Sequence, residues 1–397
     1  MVEKYADAGG RVMDHPVGTG PYRLKTWERG RRVRLEANPS FRDERFPPAP
    51  ANADAATRAM AAAMKDKRLP QIGMIDIAIV EESNPRMLMF SAGELDLLDV
   101  PADLAPKMLD GANRLLPEYA TKGVELQRAT DLTVSFGYFN MEDPVVGGYT
   151  PDRIALRRAI CSSYDIADDI RVIRNGQGMV ATQPIPPDVA GHVRNFKGFT
   201  SYDPAVARAL LDKFGYRDRD RDGYRELPDG KPFLLHMTTL TGQDYRRGDE
   251  LWQRGLAAIG IKLELQIQQF PEMAKAAHAG QLQFSRLAWT ADMADDFMQL
   301  FYRPNAGAAN LARFRNAQFD EIYRKSRRIP EGAERDALYA KMTEIVGAYS
   351  PWCTQAFRIS NTVVAPWIRG YLKNVHYLIP SWHYLDVDPA ARKISRP

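Results

Sequence analysis

The stretch from Phe233 to Ile267 restricts what this chain can fold into more than any other. Phe233-Leu-Leu-His-Met-Thr238 reads as a strand. In Ile261-Lys-Leu-Glu-Leu-Gln-Ile267 apolar and polar residues alternate without a break, the period of a strand with one buried face. Between them Leu251, Trp252, Leu256 and Ile259 recur at helical spacing, and Gly260 is the residue type that ends helices. Tight connections leave the two strands parallel, joined by a right-handed crossover through the helix. This part of the chain is therefore an α/β layer.

Similar devices recur on both sides of it. Thr150 precedes Pro151 and Asp203 precedes Pro204, each a capping residue followed by the residue best suited to a helix's first position. A helix from Pro271 to about Gln281 leads into the strand Phe284-Ser-Arg-Leu-Ala-Trp289. Asn316 caps a helix bearing Phe319, Ile322 and Tyr323, and a longer one carries Leu338, Met342, Ile345, Val346 and Tyr349 on a single core-facing stripe. Upstream, Tyr22-Arg-Leu-Lys-Thr-Trp27 and Val33-Arg-Leu-Glu-Ala37 alternate around a turn at Glu28-Arg-Gly30, a hairpin with one wet face. Gly18 and Gly20 precede a strand, whereas a phosphate loop opens a helix. Residues 75–80, a helix opened by Asn84-Pro85, and the run from Leu95 form another strand–helix–strand unit, followed by extended runs at 124–128 and 132–139.

With 397 residues and 45% hydrophobic content the chain exceeds a single core, since cores stop growing near ~250–300 residues. Its 54 Lys plus Arg and 50 Asp plus Glu are interspersed, and no basic stripe points to nucleic acid. No apolar run nears the ~18 residues of a membrane span, and Met-Val-Glu-Lys-Tyr-Ala-Asp at the N-terminus lacks the regions of a signal peptide. Cys161 and Cys353 are too few and too far apart for a metal ribbon or a disulfide scaffold, and two thiols leave the redox compartment open. No Gly-x-Ser-x-Gly elbow or His-Glu-x-x-His pair occurs.

Two constellations carry chemistry. In Leu287-Ala-Trp-Thr-Ala-Asp-Met-Ala-Asp-Asp-Phe297 an aromatic surface, Trp289, is followed by Asp292, Asp295 and Asp296 at the carboxyl end of a strand, where ligands of α/β sheets bind. That combination suits a cationic group on an otherwise apolar ligand. The same carboxylates equally suit the N-terminus of a helix starting at Phe297. Asp292 and Asp295 also match, as residue types, the acid and base of a carboxylate-dependent hydrolase, whether glycosidase or peptidase. Asn310, in the glycine-containing loop that follows, joins the candidate ligand contacts. The second constellation spaces Asp218, Asp220, Asp222, Tyr224 (through its carbonyl), Glu226 and Asp229 as in a Ca²⁺ loop. Asp229 is one methylene short of the usual Glu, Arg219 and Arg221 oppose a cation, and a solvated turn accounts for the same residues.

Val17-Gly-Thr-Gly-Pro-Tyr22 with Trp27, Gly30, Val33, Leu35, Glu36 and Asn38 resembles the signature of the family 5 extracellular solute-binding proteins, which include peptide-binding components of ABC importers. Pro70-Gln-Ile-Gly-Met-Ile-Asp76, Ala92-Gly-Glu-Leu-Asp96, Ala155-Leu-Arg-Arg-Ala-Ile160, Ala181-Thr-Gln-Pro-Ile-Pro-Pro187 and Tyr202-Asp-Pro-Ala-Val-Ala-Arg-Ala-Leu-Leu211 resemble the family's further landmarks, in the same order. The resemblance implies an α/β, two-lobed periplasmic-binding-protein-like fold of the class C type. The same resemblance leads us to expect lobe I to be incomplete, since the family's N-terminal part finds no counterpart in the residues before Val17. The resemblance implies a partial lobe I over 1–138 with an insertion near 46–68, a ligand-binding lobe II over 139–360, and a return to lobe I over 361–397.

The implied function is that of a substrate-binding protein of an ABC transporter, monomeric and not an enzyme. It captures a peptide or peptide-like solute in the periplasm or cell envelope, needs no cofactor and has ABC permease subunits as partners. In peptide-binding relatives an aspartate at the place of Asp292 receives the ligand's α-ammonium, and Trp289 lies at the same cleft. The family motif usually reads Asp-Tyr-Pro-Asp-Pro. Here Met293 and Ala294 replace Tyr-Pro and Asp296 replaces the second Pro, so the resemblance implies binding more firmly than a preference for peptides.

Overall fold

The computed structural model describes residues 16–51, 53–373 and 382–395, and the reading of the N-terminus falls outside these. The chain forms two compact units, one of residues 1–129 with 360–397 and the other of 130–359.

In the first unit β1 (Tyr22–Glu28) and β2 (Arg32–Ala37) form the expected hairpin, and β3 (Met74–Ala78) pairs with β2. The register sets Trp27 opposite Val33 and Leu35 opposite Ile75, so apolar residues share one face. The other face carries the pairs Arg23–Glu36 (2.7 Å) and Arg34–Asp76 (3.2 Å). The region read as an insertion supplies α1 (Ala55–Ala63), whose N-terminus is capped by Asp54 accepting from the Thr57 N–H at 2.7 Å. It also buries Ala61 and Met64, which ties it to this unit. After α2 (Ser83–Ser91) and β4 (Leu97–Val100), the core closes with Leu98, Leu104 and Met108 against Val363, Val364 and Trp367 of the returning chain. The Trp367 indole N–H donates to Asp96 at 2.6 Å.

The chain enters the second unit within β5 (Glu125–Phe139), one continuous strand across the two extended runs read from the sequence. The crossing falls after Ala129 and not after 138, because a boundary inside a strand leaves no break in composition. There follow α3 (Pro151–Ser162), β6 (Gly178–Val180), α4 (Pro204–Lys213), β7 (Leu234–Leu240), α5 (Gln243–Ala258) and β8 (Lys262–Gln268). β7 and β8 are parallel, in register from Leu234 opposite Lys262 to Leu240 opposite Gln268, as the strand–helix–strand pattern requires. After α6 (Phe270–Ala279), β9 (Phe284–Thr290) inserts between β7, to which it is parallel, and β5, to which it is antiparallel. Then come α7 (Ala294–Met298), α8 (Ala317–Ser326), α9 (Ala333–Tyr349) and β10 (Trp352–Val364), which leaves the unit after Ile359. Within this unit the strand order is β8-β7-β9-β5-β10, with β6 on β10.

Three features hold this unit together. Its core gathers Trp252 of α5 with Phe139, Leu156, Leu211, Met237 and Phe284, and the Trp252 ring meets Phe284 of β9 edge-on at 5.0 Å and stacks on Tyr164 at 4.4 Å. Cys161 of α3 and Cys353 of β10 form a disulfide in that core, with Cα atoms 5.1 Å apart. The fold itself closes their 192-residue separation, which is why spacing alone does not disclose the bridge. Arg157 of α3, wholly buried, donates to the carbonyls of Val146 (2.7 Å), Gly148 (3.0 Å), Tyr349 (2.7 Å) and Ser350 (3.2 Å). It thereby binds the carboxyl end of α9, where a cation complements the helix dipole.

Candidate functional site

The ladder between β9 and β5 runs to its end with Thr290 opposite Thr133, whose hydroxyls bond at 2.7 Å, and the Ala291 N–H donates to the Leu132 carbonyl at 3.2 Å. The chain then turns through Asp292 and Met293 into α7, which begins at Ala294 and not at Phe297. The helix starts earlier because Asp295 and Asp296 fit its first turn, where acids stabilise the dipole. Met293 takes the N-cap position, and no side chain caps the helix.

The carboxylates therefore have separate fates. Asp295 accepts from Arg335 of α9 at 2.5 Å through Oδ2 and from the Tyr339 hydroxyl at 2.8 Å through Oδ1. Burial first, and then the bond to Asp295, pushes the Tyr339 phenol up, so it stays a protonated donor. Asp296 accepts from Gln299 Nε2 at 3.1 Å, and its carboxyl lies above the usual range, through burial first and then the charges of Asp292 and Asp295. Asp292 is exposed and makes no side-chain hydrogen bond or ion pair among the described residues. Trp289 is half-buried, opposite Val134 of β5, and its indole N–H is enclosed without a partner among the described residues.

Two expectations need correction. Asn310 is fully buried, and its amide is spent on the Tyr302 and Phe314 carbonyls (3.2 and 3.0 Å) and the Phe314 N–H (3.1 Å). It braces its own loop and has no side-chain atom to offer a ligand. The hydrolase pairing also fails on geometry, because an acid and base must both face the scissile bond, whereas both oxygens of Asp295 are held by α9. Sequence reasoning missed Arg335 and Tyr339. They lie 40 and 44 residues from Asp295, and no local pattern links them to it.

In the acidic loop Asp218, Asp220, Asp222 and Glu226 bring one carboxylate oxygen each within 4.8 Å of one another. Asp229, expected as the closing ligand, turns instead to Lys231 at 2.7 Å. The Tyr224 ring lies under the Lys262 ammonium, 5.5 Å from its centroid. The Arg219 guanidinium comes within 3.7 Å of Glu226, so the cluster's charge is partly met from within the loop.

An open α/β sheet with a carboxylate and an aromatic ring at the end of a central strand is the arrangement of a binding lobe. Residues 1–309 match the family of bacterial extracellular solute-binding proteins, family 5 (middle), and the chain belongs to this family. It is 24% identical over 364 residues to heme-binding protein A of Haemophilus influenzae, covering 90% of this chain and 58% of that protein. It is 26% identical over 373 residues to di/tripeptide-binding protein 2 of Pseudomonas aeruginosa, covering 91% of this chain and 60% of that one. The chain thus spans about 60% of the length of the curated relatives it matches. The oligopeptide-binding protein AppA of Bacillus subtilis, solved with a nonapeptide, superposes with a TM-score of 0.70 at 16% identity, over 98% of this chain and 71% of that one. HbpA2 of Haemophilus parasuis gives 0.71 at 20% identity, over 98% and 68%. The fold is that of periplasmic binding proteins. No helix among the described residues is long and apolar enough to cross a membrane.

Proposed function

We propose that this chain is the substrate-binding component of an ABC importer. It captures a peptide or peptide-like solute by holding the solute's ammonium on Asp292 beside Trp289 and returns it unchanged to permease subunits at the membrane. The observation that carries this reading is the contrast within one turn: Asp295 is paired and Asp292, exposed at the end of β9, is not. A carboxylate without a partner of its own is free to form a charge-assisted hydrogen bond, the strong kind, to an incoming cation. Similarity to di/tripeptide- and oligopeptide-binding proteins supports the peptide class, and the heme-binding relative marks the range of ligands that similar chains take. The buried Cys161–Cys353 bridge supports a periplasmic or cell-envelope location, since disulfides persist in oxidising compartments. We take the working form to be a monomer.

Asp292→Asn is expected to weaken binding of peptides with a free N-terminus by about 1–3 kcal/mol, the worth of a charged hydrogen bond. Isothermal titration of free and amine-blocked peptides checks it, and equal affinity for the two forms sinks the anchor.

A separate proposal concerns Ca²⁺ at Asp218, Asp220, Asp222 and Glu226, and it rests on the convergence of their oxygens. Calorimetry with millimolar Ca²⁺ should register heat and a raised Tm, both absent in Asp218→Asn. Silence in the wild-type protein removes Ca²⁺ from the account.

A further inference from the structure

The first turn of a helix favours acids over bases, because the macrodipole concentrates partial positive charge there. α9 follows the rule with Glu334 and Asp336 in its first turn, yet Arg335 stands between them. Its guanidinium pairs with Asp295 Oδ2, and the two side chains are only 18% and 16% exposed. Tyr339, one turn further along α9, holds Oδ1. The Tyr323 hydroxyl of α8 lies 3.4 Å from the Asp295 backbone carbonyl and donates to it. A fourth segment closes over the group at Gly191 (φ +91°), where an added Cβ would lie 2.5 Å from the Tyr339 ring and 3.2 Å from the Ala294 Cβ. Asp295 is thus gripped from several directions three residues beyond Asp292. Desolvation offsets most of what such a pair contributes to stability, so its main effect is on geometry.

We propose that Arg335 and Tyr339 are positioning residues that act through Asp295, fixing the turn at 291–293 so that Asp292 faces the ligand's ammonium. This rests on the reading of Asp292 given above. Removing the guanidinium frees Asp295, and with it the turn, to move towards solvent. It also leaves Asp292, Asp295 and Asp296 to repel one another with Arg327 as the nearby cation.

Isothermal titration with Ala-Phe and with its Nα-acetyl form, alongside circular dichroism, tests both claims and separates them. A wild-type preference for the free dipeptide sustains the Asp292 reading. Equal affinity, or binding of neither, overturns that reading and the positioning role with it. Given the preference, Arg335→Met is expected to weaken the free dipeptide about tenfold while leaving the acetylated one unchanged. Tyr339→Phe should weaken it less, and Arg335→Lys should recover part of the preference. A wild-type preference in Arg335→Met, an equal loss for both dipeptides, or no recovery with Arg335→Lys overturns the positioning role alone. If Arg335→Met fails to fold, Tyr339→Phe carries the decision, and an unchanged preference there counts against the role.

Discussion

Arg157→Met should destabilise the second unit by about 3 kcal/mol, whereas Arg158→Met, one residue along, should cost under about 1.5 kcal/mol. Methionine keeps most of the stem's volume but none of the donors, so the carbonyls of Val146, Gly148, Tyr349 and Ser350 lose their common partner. A buried carbonyl left bare costs about 1 kcal/mol or more. Relief from burying the cation offsets part of the sum; that burial already draws the Arg157 guanidinium down to about 10. Arg158 is half-buried; among the described residues it gives one hydrogen bond, to the Ala348 carbonyl at 2.8 Å, and lies over the Phe199 ring. Urea unfolding of both variants, followed by tryptophan fluorescence, checks the contrast, and equal losses would show that the four carbonyls find other partners without Arg157.

Gly255→Ala should lower stability by about 1–3 kcal/mol, against the direction that helix propensity predicts. In the last turn of α5, alanine would gain up to about 1 kcal/mol over glycine if nothing else were near. Here the new Cβ would lie 2.1 Å from the Ser163 carbonyl oxygen and 3.0 Å from its carbon. Ser163 is wholly buried and its N–H is bonded within the end of α3, so that backbone cannot withdraw cheaply. Overpacking wins over propensity. Gly73→Ala is the control, since a Cβ there meets nothing within 4 Å. A rise in Tm for Gly255→Ala would mean that α5 and α3 slide apart at little cost.

Both comparisons bear on what was legible in the chain. Most elements could be read because their signals are local. The hairpin β1–β2, the parallel pair β7–β8 and the capped helices α4 and α8 follow from alternation, helical spacing, and Asp203 or Asn316 one residue before the helix. Thr150 also stands where a cap belongs, though its side chain makes no capping bond. The boundary after Ala129 was not legible, because β5 crosses it without a change of pattern. Of the candidate site, Trp289 and Asp292 could be placed at a strand's end from the order of elements, whereas the partners that occupy Asp295 could not.

The sequence by itself determined the secondary structure, the α/β class and the place along the chain where charge meets an aromatic ring. Each of these depends on residues within a turn or a strand of one another. The tertiary structure alone decided which of several like residues does what. Arg157 is fully buried and Arg158 only half so, Cys161 finds Cys353, and Asp295 is tied to α9 while Asp292 stays exposed. Those choices turn on contacts between residues as far as 193 apart, and a side chain's burial and partner are properties of what folds against it.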